Sequence, residues 1–205
     1  MRIKLSQAGK RFNREWIFRK ATLEFNTTNA YAITGPNGSG KSTLLQCLGG
    51  MLQPSEGTIS YELDGKIIEA EKAYTHLSFC APYLDLIEEM TLREFLHFHE
   101  QFKPWIEGCS SPSIINAIGL EGAAGKQIRY YSSGMKQRVK LAQAIFSRTG
   151  AVLLDEPCSN LDAKGIDLYH QLIHQHGQNR LIVVCSNDPV EYSFCKEVIS
   201  VMDFK

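Results

Sequence analysis

Apolar and polar side chains alternate along residues 2–7 and again along 16–25, where Phe18, Ala21, Leu23 and Phe25 carry the apolar positions. That two-residue period predicts a pair of strands. Between them, Lys10-Arg11-Phe12-Asn13-Arg14-Glu15 reads as a turn that carries an aromatic. Residues 30–34 form a short apolar run, read as a buried strand, and 42–48 a helix ended by Gly49-Gly50. Gln53-Pro54-Ser55-Glu56-Gly57 is a turn, residues 58–63 and 66–68 a hairpin around Asp64-Gly65, and 77–80 a further buried strand.

The pattern changes from Pro82 to about Ser147. Thr91 followed three residues later by Glu94 marks a helix start, and Leu92, Phe95, Leu96, Phe98, His99 and Phe102 continue at mostly helical spacing. Pro104 and Gly108 interrupt, and 113–118 predicts a second short helix. After residue 148 the earlier alternation of elements returns: an apolar strand at 151–155, a helix at 163–176, a buried strand at 180–185, a short helix, and a last strand at 197–201. The chain therefore reads as one domain, an α/β core of residues 1–82 and 148–205 with a helical insert at 83–147.

Composition narrows the partners. Lysine plus arginine and aspartate plus glutamate both number 22, a formal charge of zero. That balance argues against a nucleic-acid footprint and against a polybasic membrane patch. The six cysteines show no CxxC pair and several lie in apolar runs, which fits reduced cytosolic core thiols. Met1-Arg2-Ile3-Lys4-Leu5 lacks an apolar signal region, and no apolar stretch approaches the ~18–20 residues that span a bilayer. His97 and His99, at i and i+2, do not share a helix face and are not read as a metal pair. His170, His174 and His176 are read as surface residues or as favourable charge at a helix C-terminus.

Gly35-Pro36-Asn37-Gly38-Ser39-Gly40-Lys41-Ser42, followed by Thr43, fits the phosphate-loop pattern G-x-x-x-x-G-K-[ST] and stands between a predicted strand and a predicted helix. Its glycines let backbone N–H groups close around a triphosphate, Lys41 reaches the β/γ-phosphates, and the Ser42 hydroxyl is placed to hold Mg²⁺. Asp155 ends an apolar strand, where an acidic side chain faces that Mg²⁺. Glu156 follows at once and can polarise an attacking water.

Tyr131-Ser132-Ser133-Gly134-Met135-Lys136-Gln137-Arg138 before a long helix resembles the LSGGQ-x-x-R signature of ABC-type ATPases. Pro157-Cys158-Ser159-Asn160-Leu161-Asp162 resembles that family's D-loop. The order of phosphate loop, helical insert, signature, Asp-Glu pair and D-loop is similar to the family over essentially the whole chain. The resemblance implies an α/β fold: a P-loop NTPase core with a mixed sheet flanked by helices, an antiparallel β-subdomain and a helical signature subdomain. It also implies head-to-tail dimers of identical or non-identical ATPase chains, in which Ser132 and Gly134 of one copy meet the γ-phosphate of ATP on the other. An aromatic stacks on adenine; Phe12 stands in that place and Trp16 is the alternative.

Two departures from the family pattern stand out. Pro82 falls where a glutamine that touches Mg²⁺ is usual, and Asn187 falls where a histidine contacts the γ-phosphate. Asparagine still donates a hydrogen bond but carries no charge. The implied function is the ATP-binding subunit of an ABC transporter. It would use ATP and Mg²⁺, hydrolyse slowly, and act on a separately encoded transmembrane permease, peripheral on the cytoplasmic face of the cell membrane. The competing readings are a soluble ABC ATPase outside transport and a regulatory subunit that binds ATP with little turnover.

Overall fold

The computed structural model describes residues 1–205. Its first two strands, β1 (Arg2–Phe12) and β2 (Glu15–Asn26), are longer than their alternation predicts. The stretch expected to be a turn pairs instead: Arg11 opposes Trp16 and Phe12 opposes Glu15. Only Asn13 and Arg14 are left to reverse the chain, with Asn13 at φ 54°. Asparagine tolerates that left-handed conformation better than most residues. Irregular register between Leu5 and Lys10 breaks the period-two pattern there, which hid the extension.

Strand β4 (Glu56–Leu63) joins the other edge of β1 and turns through Asp64-Gly65 into β5 (Lys66–Ile68), giving an antiparallel sheet in the order β2-β1-β4-β5. The second sheet holds β3 (Ala30–Thr34), β6 (Leu77–Cys80), β7 (Ala151–Asp155), β8 (Leu181–Cys185) and β9 (Glu197–Ser200) in the order β6-β7-β8-β3-β9. Every pairing within it is parallel. Both strand senses are present, and they are segregated into separate sheets.

The parallel sheet divides two apolar cores. Ala151, Leu153, Leu181, Val183 and Cys185 join Ile3, Leu5, Phe18 and the helix α1 (Lys41–Leu48) on one side. Val152, Leu154, Ile182 and Val184 join the helical side on the other. Successive side chains of one strand thus serve opposite cores, so β8 is apolar throughout and β7 is apolar up to its last residue, Asp155.

The insert carries α2 (Leu92–Glu100), α3 (Ser111–Ala117) and α4 (Ser133–Phe146). Thr91 and Glu94 form the expected capping box. Helix α3 starts earlier than predicted, because Ser110 caps it and Pro112 fits its first turn. Helix α5 (Ala163–His176) is capped by Asp162, whose carboxylate accepts from the Gly165 N–H at 2.8 Å. Arg180, buried beside β8, donates to the carbonyls of Ile145, Ser147 and Thr149 at 2.5–2.9 Å. It thereby satisfies the free carbonyl end of α4.

The short helix expected after β8 does not form. Residues 189–194 are turns: the Glu191 N–H reaches the Asp188 carbonyl, and the Asp188 carboxylate takes the Val190 N–H at 2.9 Å. Asp188 competes with helical bonding, and Pro189 brings no donor. The chain ends in a 3₁₀ turn at Val201–Phe204, one residue earlier than the predicted strand end. His176 corrects the expectation of a surface or charged residue. Its ring lies against Phe146 and is partly buried, and burial, then Arg180, hold its pKa down.

Candidate nucleotide site

All five parallel strands deliver their C-terminal ends to one edge, the position where open α/β sheets bind ligands. The phosphate loop leaves β3 there and enters α1 at Gly40, whose φ is 103°. A Cβ at Gly40 would lie 2.4 Å from the Ile17 side chain, so only glycine fits. Asn37, Gly38, Gly40, Lys41, Ser42 and Thr43, with Ile17 and Glu156, line an open cavity of about 260 Å³. Lys41 is buried, and its ammonium donates to the Gly35 carbonyl at 2.8 Å and the Pro36 carbonyl at 3.3 Å. Ser39 is also buried, and its hydroxyl has no partner.

Asp155, at the end of β7, is 2% exposed, and neither carboxylate oxygen has a hydrogen-bond partner. Burial raises its pKa and the neighbouring Glu156 adds to that, whereas the facing hydroxyls of Ser42 and Tyr83 and the Lys41 ammonium oppose it. A buried carboxylate without donors, beside a serine hydroxyl, is a hard-oxygen set that suits Mg²⁺. Glu156 turns out to solvent at φ 43°, with its N–H on the Cys185 carbonyl at 2.9 Å. That left-handed backbone swings its carboxylate into the cavity lining beside the phosphate loop.

Pro82 is exposed, and its carbonyl accepts from Lys140 at 2.7 Å. The side chain that enters the site is the next one. The Tyr83 hydroxyl accepts from Gln46 Nε2 of α1 at 2.8 Å and faces Asp155. Burial pushes its phenol up to about 12, so it remains a donor. Sequence reasoning missed Tyr83, because an aromatic beside a proline in a turn has no pattern of its own. Asn187, beyond β8, donates to Asn37 Oδ1 at 2.9 Å and so touches the phosphate loop.

A family model described as ABC transporter matches residues 18–159. The chain belongs to the ABC transporter family, as an ATP-binding subunit. It is 28% identical over 200 residues to an uncharacterized ABC transporter ATP-binding protein, YybJ, of Bacillus subtilis strain 168, covering 95% of this chain and 86% of the relative. It is 32% identical over 166 residues to the cytochrome c biogenesis ATP-binding export protein CcmA of Rhodopseudomonas palustris strain BisB5, covering 78% and 79%. Among solved structures, a putative ABC transporter ATP-binding protein from Pyrococcus furiosus superposes with a TM-score of 0.83 at 18% identity over 100% of both chains. A dimeric ATP-binding cassette in a post-hydrolysis state, bound to ADP and Pi, gives 0.81 at 23% identity over 97% and 93%.

In this ABC subunit the signature lies apart from the phosphate cavity. Ser132 caps α4, its hydroxyl accepting from the Met135 N–H at 3.3 Å. A Cβ on Gly134 would lie 3.0 Å from the Asn160 carbonyl, which places the signature against the D-loop. Buried Gln137 of α4 reinforces that contact, donating to the Pro157 carbonyl at 2.7 Å. Glu191 is a second residue that sequence reasoning missed. It is buried, accepts from the Cys158 N–H at 2.7 Å, and ties the D-loop to the segment after β8.

Neither aromatic lines the cavity. Trp16 is flanked by Arg19 and Arg11, 4.5 and 5.6 Å from its ring, while Phe12 is 48% exposed with Lys10 at 5.4 Å.

Proposed function

We propose that this chain binds and slowly hydrolyses Mg²⁺·ATP as one half of a dimer that drives a separate membrane subunit. The observation that carries the reading is the unpartnered, buried Asp155 carboxylate facing Ser42 of the phosphate loop, with Glu156 in the lining of the phosphate-loop cavity. Gly35, Pro36, Asn37, Gly38, Ser39, Gly40 and Thr43 form the cradle, and the free N–H groups at the start of α1 favour the phosphate anion. Lys41 leaves the Gly35 and Pro36 carbonyls to meet the β/γ-phosphates. Ser42 and Asp155 would hold Mg²⁺, which would supply charge neutralisation at the phosphate oxygens. Glu156 accepts the proton of the attacking water. Asn187 donates to the γ-phosphate as a neutral group. Phe12, whose ring has Lys10 beside it where that of Trp16 has two arginines, stacks on adenine. Ser132 and Gly134 serve the site of the partner copy, consistent with their distance from this one.

No helix is long and apolar enough to cross a membrane. Membership of the ABC transporter family supports a separately encoded permease as the recipient of the motion of residues 83–147, and it would hold this chain at the inner face of the cell membrane. Zero net charge favours this reading over work on nucleic acid.

The test is steady-state ATPase activity of purified protein, alone and with its membrane partner, against Glu156→Gln. The variant is expected to lose about 10²-fold or more in kcat while retaining ATP affinity. Equal phosphate release by both proteins would make the chain a binding-only regulator.

A further inference from the structure

Three side chains from separate parts of the chain converge beside the phosphate loop: Ser42 from α1, Asp155 from the end of β7, and Tyr83 from the turn after β6, the strand that pairs with β7. The Tyr83 ring is 46% exposed, but its hydroxyl is held. Gln46 donates to it at 2.8 Å, and Gln46 stands one helical turn beyond Ser42 on the same face of α1. One lone pair of the phenol oxygen is thereby occupied, which leaves its own O–H free to donate. The acceptor it faces is the Asp155 carboxylate, whose two buried oxygens have no partner. The turn is also fixed from the helical side, where the Lys140 ammonium of α4 donates to the carbonyls of Pro82 at 2.7 Å and Ala81 at 3.5 Å. A tyrosine pinned by helices on two sides and aimed at an unsatisfied buried carboxylate is more organised than surface packing requires.

We propose that Tyr83 is a positioning residue of the cation site: with Mg²⁺·ATP bound, its hydroxyl donates to the Asp155 oxygen turned away from the metal and so orients the ligating one. This rests on the proposed function of the site and extends it to a residue that touches neither ATP nor the metal. Hydrogen-bonded partners of metal ligands typically contribute about 10–100-fold in metal affinity. The Lys140 tether makes the same turn a link between the cation site and α4, the helix that carries the signature.

The test is a Mn²⁺ titration followed by electron paramagnetic resonance, in the presence of a non-hydrolysable ATP analogue, for the wild type, Tyr83→Phe and Gln46→Leu. Tyr83→Phe keeps the ring and removes only the hydroxyl, so its fold is preserved. It is expected to weaken Mn²⁺ binding about 10-fold, with metal-free affinity for a fluorescent ATP analogue unchanged and with kcat recovering at saturating Mg²⁺. Gln46→Leu frees the phenol and shifts Mn²⁺ affinity the same way by less. Mn²⁺ affinity of Tyr83→Phe within about twofold of the wild type, or a loss of kcat that excess Mg²⁺ does not restore, would overturn the inference while leaving the nucleotide site standing. Failure of the wild type itself to bind the analogue would overturn the proposed function, and this inference with it.

Discussion

His99 projects from α2 toward the C-terminal end of α4, stacked on Trp105 at 5.0 Å, with Ser147 Oγ 2.8 Å from Nε2 and Gln143 3.1 Å from Nδ1. Burial, with a smaller contribution from the Lys103 ammonium, lowers its pKa from the usual 6.5 to about 4. Above about pH 6.5 the imidazole is neutral in both folded and unfolded chains, and its packing contributes fully. Between 6.5 and about 4 the unfolded chain binds a proton that the folded chain refuses, so stability falls as pH falls. The expected loss across that window is about 2 kcal/mol once residual solvent is allowed for. Urea unfolding at pH 7 and pH 4 checks it: His99→Gln should flatten the pH dependence by that amount. The helical spacing of 92–102 put His99 on a helix, but its chemistry depends on Trp105, Gln143 and Ser147, which the fold alone brings to it. The same holds at Asp155. Its place at a strand end was legible, whereas its lack of partners and the tyrosine facing it were not.

The best-read elements are those whose boundaries are set by a local chemical group. Helix α2 starts where Thr91 and Glu94 exchange side-chain and backbone hydrogen bonds, at 3.3 Å to the Glu94 N–H and 2.8 Å to the Thr91 N–H. Thr91→Ala removes one half of that box and should cost about 1 kcal/mol, read as a lowered melting temperature with ATP affinity unchanged. Helix α5 matched because Asp162 caps it and Gly177 follows it. Elsewhere the signal was ambiguous. The ends of β1 and β2 are polar and bulged, and the β1 partners that make them strands lie across a hairpin. Residues 186–196 are short of helix only because Asp188 binds Val190 and Glu191 binds the D-loop, and the second of those is a tertiary contact.

At the scale of the whole molecule, the fold brings four separate stretches to one edge of the parallel sheet: the phosphate loop, Tyr83, the Asp155-Glu156 pair with the D-loop that follows it, and Asn187. It leaves the signature on the far side of the D-loop. If Ser132 and Gly134 complete a partner's site, disturbing Ser132 should spare the monomer and harm the dimer. Ser132 also caps α4, so alanine would confound the two effects. Asparagine is an equally good N-cap and changes the hydroxyl that a phosphate would meet. Ser132→Asn is therefore expected to keep its melting temperature and its ATP affinity, and to lose ATP-dependent dimer and at least about 10-fold in kcat. Size-exclusion chromatography with and without ATP, alongside activity, measures both.

Local chemistry in the chain was enough to specify the phosphate loop, the acidic pair, the signature, the capped helices and the apolar strands. Each rests on neighbours within a few residues: glycines that permit a turn, a capping side chain, a run with one period. Those features identify a nucleotide site and its family. What the sequence left open was which residues meet across the sheet edge. Pro82 stood in the expected ligand position, yet the neighbouring Tyr83 is the residue that reaches the site. Gln46, Lys140 and Asp155 hold or face it from 37, 57 and 72 residues away. Contacts over such separations depend on strand order and helix packing, which tertiary structure alone decides.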